Sequence, residues 1–149
     1  MDFGFSDEQE MLREASRALL SDALTPARLR AMSETELRFD PDLWRAGAKV
    51  GWTGIAVSED LGGAGQGVVD LVVVAEEHGR ALVPGPFISS TLAADAIAML
   101  GSSIQRTELL ASIVSGETVA SWALAEPTGG WDIEAVSVTA KRDVDQLVL

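Results

Sequence analysis

Apolar residues recur at helical spacing along most of the first 116 positions, and the polar residues between them supply helix starts. Ser6 with Gln9 fits a capping box, and Asp7 and Glu8 place negative charge where the helix dipole favours it. Met11, Leu12, Ala15, Ala18 and Leu19 then continue one apolar face. Thr25-Pro26 and Asp40-Pro41 repeat one device, a cap followed by proline at the first helical position. The second of these opens a short helix through Leu43, Trp44, Ala46, Gly47 and Val50, ended by Gly51. "WTGIAVSEDLGGAGQG" holds too much glycine for a regular element and reads as a loop. Val68 to Leu82 is helical again. Its first half is apolar almost all round, which predicts burial on several sides, and Gly79 is its weak point. "VPGPF" breaks the chain, and Pro86 opens a helix closed by Gly101. Ser102 with Gln105 caps a further helix that ends at Gly116.

Beyond Gly116 the period changes. "TVASWAL" is β-rich. "IEAVSVTAKR" alternates with a phase slip that suggests a bulge, and "DQLVL" reads as a third strand. Two or three strands alone are marginal and leave open edges, so a fragment of a longer protein is expected over a naturally short chain. The expected fold is mainly α. A helical domain over residues 1–116 precedes the beginning of a β domain over 117–149.

The composition narrows the chemistry. A chain of 149 residues with 47% hydrophobic residues can fold around a core. A net charge of −12 disfavours nucleic acid and anionic membrane surfaces as partners. The start lacks a signal peptide's basic and apolar regions, and "GVVDLVVVA" is too short to span a membrane, so a cytoplasmic location is expected. With no cysteine and one histidine, thiolate catalysis, Cys-based zinc sites, His-rich metal sites and a Ser-His-Asp set are not expected. His78 reads as a surface or helix-packing residue. Glu76 and Glu77 read as a helix face turned to solvent, with Arg80 offering an ion pair. Gly62, Gly63 and Gly65 lack the context of a phosphate-binding fingerprint and read as a tight structural connection.

Three stretches, in order, carry a resemblance: "FDPDLWRAGAKVGWTGIAVSEDLGGAGQG", "VVVAEEHGRALVPGPF" and "GETVASWALAEPTGGWD". With the opening "FSDEQEMLREASRALL", the chain resembles the N-terminal half of acyl-CoA dehydrogenases along nearly its whole length. The resemblance implies a helical-bundle domain followed by the first strands of a β-barrel-like middle domain. It implies FAD as cofactor, an acyl-CoA substrate, and assembly into a homo- or hetero-oligomer of such subunits. It also implies that the catalytic base lies in a C-terminal region, so this chain alone is expected to be inactive, with no catalytic residue of its own.

The same resemblance makes Phe87, Ile88, Leu92 and Ile97 candidates for walls of an acyl pocket, among residues that are mostly ordinary core. The third stretch is similar to the family's flavin-binding turn. It implies cofactor contacts from Trp122, Leu124, Ala125 and Trp131, with Glu126, Pro127, Gly130 and Asp132 also matching. Ala125 stands where the family usually has threonine, and Trp131 where it usually has serine. Losing one hydroxyl bond costs about 1 kcal/mol, but an indole in place of a serine can fill the site. Two alternatives to an ordinary flavoenzyme therefore stand: a flavin-poor, non-catalytic partner in a heteromeric enzyme of the steroid type, and a helical interaction module without a ligand.

Overall fold

The computed structural model describes residues 4–123, 125–126, 132–144 and 146–148. Among the described residues six helices lead, and the caps legible in the sequence start most of them. Helix α1 (Asp7–Ala23) begins on the reciprocal Ser6–Gln9 capping box. Helix α2 (Pro26–Ser33) starts on Thr25, whose hydroxyl accepts from the Arg28 N–H. Helix α3 (Pro41–Lys49) starts on Asp40, whose carboxylate accepts from the N–H groups of Asp42 and Leu43. Arg28 also pairs with that carboxylate. Burial works against the charge, but Arg28 and the two N–H donors hold Asp40 below its ordinary range.

After α3 the chain passes Gly51, at a left-handed φ of 90°, into two short 3-10 turns, Trp52–Gly54 and Glu59–Leu61. Helix α4 is Val68–Arg80 and α5 is Phe87–Leu100. Helix α6 (residues 103–114) opens on the Ser102–Gln105 capping box and widens to a π turn over Arg106–Leu110.

Helix α1 packs against α4, and residues from both join α3, α5 and the turn after α3 in the main core. Leu20, Leu43, Trp52, Ile55, Val74 and Phe87 form it. A second cluster of Val57, Ala94, Leu110 and Ile113 joins α5 to α6. His78 packs between the two rings of the first cluster. Its ring is stacked on Phe87 at 4.3 Å and meets Trp52 edge-on at 4.6 Å. Its Nδ1 donates to the Val74 carbonyl at 2.9 Å, and burial lowers its pKa. The helix-packing expectation for His78 therefore holds.

Two expectations about α4 do not hold. The first half of the helix buries Val73 and Val74 only, while Val68, Val69 and Val72 are exposed. Helix α1 covers one side, and no described residue covers the other. Glu77 does not turn to solvent either: it is 1% exposed and receives two guanidinium groups. Arg80 bonds it from the next turn at 2.7 Å, as the spacing predicts. Arg17 reaches it from α1 with two bonds, at 3.0 and 2.6 Å. These bonds, Arg17 first, hold Glu77 down to about 2 against the opposing effect of burial.

Gly79 has open space where a Cβ would stand. Gly79→Ala is expected to stabilise the fold by about 0.8 kcal/mol through helix propensity alone. A thermal melt should show Tm rising by roughly 2–4 °C.

The β expectations are met only in part. Gln146–Val148 forms a strand, antiparallel to Lys141–Asp143, with Lys141 opposite Val148. Residues 117–123 have no strand ladder, because no described strand pairs with them. The phase slip in "IEAVSVTAKR" is not a bulge. The first phase, Ile133–Ala135, is a 3-10 turn, and the described strand begins only at Lys141.

Candidate functional site

The segment leaving α6 is held at successive points. The Trp44 indole N–H donates to the Gly116 carbonyl at 3.0 Å, and the Thr53 hydroxyl donates to that of Val114. Thr118 N–H bonds the Ser112 carbonyl, and Ala120 pairs with the Ser90 hydroxyl. The chain then runs free: among the described residues, nothing bonds the peptide N–H groups of Ser121, Trp122 or Ala123.

This free stretch forms one side of an open groove of about 580 Å³. Ala93, Ala96, Ile97 and Leu100 of α5 also wall it, and Gln105 of α6 lines it as well. Trp122 stands in it half-exposed, at 51%. Val136 reaches the same groove because Glu126 holds the following segment. The Glu126 carboxylate accepts from the Ser137 N–H at 3.0 Å, the Val138 N–H at 2.8 Å and the Ser137 hydroxyl. Those bonds, the Ser137 hydroxyl first, hold Glu126 below the usual carboxylate range. Its part in shaping the groove carries no sequence signal, because the donors stand 11 and 12 positions away.

The groove thus joins Ile97 to Trp122, one residue expected at an acyl pocket and one at a flavin. The other candidates lie elsewhere. Phe87 is in the core on His78, and Ile88 and Leu92 are exposed one turn apart on α5. Ala125 is exposed beyond the groove lining. Leu124 and Trp131 lie outside the described residues. An alanine-rich wall, an exposed indole and free peptide groups suit a flat, largely apolar ligand with a polar edge.

The glycine loop near Lys49 is a different case. The N–H groups of Gly62, Gly63, Ala64, Gly65 and Gln66 all bond carbonyls of residues 54–59. None is left for an anion, so the loop is a structural connection. No helix among the described residues is long and apolar enough to cross a membrane.

The family model described as acyl-CoA dehydrogenase, N-terminal domain, matches residues 6–117. The acyl-CoA dehydrogenase IpdE2 of Mycolicibacterium smegmatis is 41% identical over 115 residues, 76% of this chain and 36% of that protein. Among solved structures, the Tcur3481-Tcur3483 steroid ACAD G363A variant superposes with a TM-score of 0.84 at 38% identity. It covers 95% of this chain and 38% of that one. The ChsE4-ChsE5 complex from Mycobacterium tuberculosis superposes with a TM-score of 0.83 at 27% identity, over 99% of this chain and 38% of that one. The chain therefore spans less than two-fifths of the length of each of these relatives.

Proposed function

The chain belongs to the acyl-CoA dehydrogenase family through its N-terminal domain, and from that premise we propose that it is the leading part of an FAD-dependent acyl-CoA dehydrogenase. Residues 1–116 are the helical domain, and 117–149 begin the middle β domain. The observation that carries the reading is the groove, where a half-exposed indole and unbonded peptide groups face an alanine-lined wall. Those features fit the edge of a flavin ring. When bound, FAD supplies the hydride acceptor for α,β-oxidation of an acyl thioester.

The residues of this chain bind and exclude water. Trp122, Leu124, Ala125 and Trp131 hold the cofactor, and Ile88, Leu92 and Ile97 contribute to the acyl side. The base that takes the α proton comes from outside these residues. The enzyme works in the cytoplasm as an oligomer of acyl-CoA dehydrogenase subunits. Steroid-derived thioesters are the favoured substrate class, supported by the steroid ACAD among the similar structures.

A second reading has one specific observation behind it. Trp131 replaces the serine that the family resemblance leads one to expect, and the similar structures carry paired chain names. Under it, this chain is a flavin-poor partner that shapes the site of a sister subunit.

FAD titration of the purified protein, with any co-purifying chain retained, tests the first reading. Trp122→Ala is expected to weaken FAD binding about tenfold through loss of ring contact. Unchanged affinity would remove Trp122 from the site. Trp131→Ser should raise flavin occupancy if the second reading holds and leave it unchanged if the first does.

A further inference from the structure

We infer that Ser90 is a positioning residue that sets where Trp122 stands in the groove; its consequence for FAD rests on the reading above. Ser90 is fully buried on α5, at 0% exposure. A helical serine ordinarily bonds its own helix, as the neighbouring Thr91 does with the carbonyls of Phe87 and Ile88. Ser90 instead reaches across. Its hydroxyl donates to the Ala120 carbonyl at 3.0 Å and accepts from the Ala120 N–H at 3.1 Å. One hydroxyl thus clasps both polar groups of one residue, as a neighbouring strand would.

The placement matters on both sides of the clasp. Ala120 precedes Trp122 with only Ser121 between them, so a fixed Ala120 limits where the indole can stand. Ser90, Ala93 and Ile97 stand at i, i+3 and i+7, one face of α5, and the last two wall the groove. Trp44 and Thr53 fix the segment only near its start. Among the described residues, Ser90 is the last anchor before Trp122. It sets the indole against the wall that carries the clasp.

The test compares Ser90→Ala with Thr91→Val, which removes another buried hydroxyl that does not touch the segment. Hydrogen exchange of the Ala120 amide and FAD affinity are read on the purified protein with any co-purifying chain. In Ser90→Ala the Ala120 amide should exchange about tenfold faster and FAD should bind about tenfold more weakly, with Thr91→Val near wild type in both. Should Ser90→Ala not fold, Ser90→Cys keeps the volume, weakens both bonds and should give the same shifts in smaller degree. Equal behaviour of the Ser90 and Thr91 variants would overturn the assignment. If the wild type binds no FAD, the cofactor reading fails by itself, and Ala120 exchange still decides whether Ser90 holds the segment. Faster exchange with unchanged FAD affinity would overturn the positioning role.

Discussion

Replacing Arg17 and Arg80 together by alanine is expected to destabilise the fold by about 3–5 kcal/mol, a large share of the 5–15 kcal/mol typical of a domain. The cost falls on Glu77. Both arginines are partly exposed, but the carboxylate is 1% exposed and would lose its charged donors. An uncompensated buried charge is among the most destabilising changes a fold meets. Single substitutions leave one donor and should cost less, with Arg17 the larger because it gives two bonds to Arg80's one.

The pH dependence separates this account from a simple packing loss. Glu77 has its folded pKa held down to about 2, against an ordinary value of 4.5. It therefore contributes stability that is present above pH 4.5 and lost as pH falls towards 2. His78, lowered by burial from 6.5, adds an earlier loss as pH falls below 6.5. In the double variant, burial acts on Glu77 unopposed and raises its pKa. The sign then reverses, and the deficit against wild type should shrink as the carboxylate protonates in acid. Denaturant melts from pH 3 to 8 read this directly. A deficit constant across that range would show that the charge is not what the arginines stabilise.

Gly63→Ala should cost about 3 kcal/mol, since overpacking at rigid backbone is costly. A Cβ there would stand 2.1 Å from the Val57 carbonyl oxygen. That oxygen cannot withdraw cheaply, because it accepts the Gly65 N–H at 2.8 Å within the closed loop. Gly62 is the control. It has a left-handed φ of 86° but nothing within 4 Å, so Gly62→Ala should show only the left-handed penalty of about 1–2 kcal/mol. Equal losses at the two positions, measured by denaturant unfolding, would mean that the Val57 contact costs no more than the left-handed strain at Gly62.

Local chemistry made the helix boundaries legible. Ser6, Thr25, Asp40 and Ser102 all cap through bonds to residues two or three positions on, a range that sequence spacing captures. The valines of α4 show where such reading stops. Periodicity reports which residues are apolar, while exposure of Val68, Val69 and Val72 depends on whether another element arrives to cover them. Glu77 failed for the same reason, since Arg17 lies 60 positions away. At the site, Trp122 and Ile97 were legible as candidates but their meeting was not. It depends on contacts from Trp44, Thr53 and Ser90 to the end of α6 and the segment after it, each between residues 30 or more positions apart.

The central claim is that the groove beside Trp122 belongs to a working flavin site. The visible absorption spectrum of the protein as purified, with any accompanying chain retained, tests it most directly. The account predicts a flavin spectrum with a stoichiometry near one FAD per copy of this chain. A colourless preparation that stays colourless when FAD is added, with or without the accompanying chain, would contradict it.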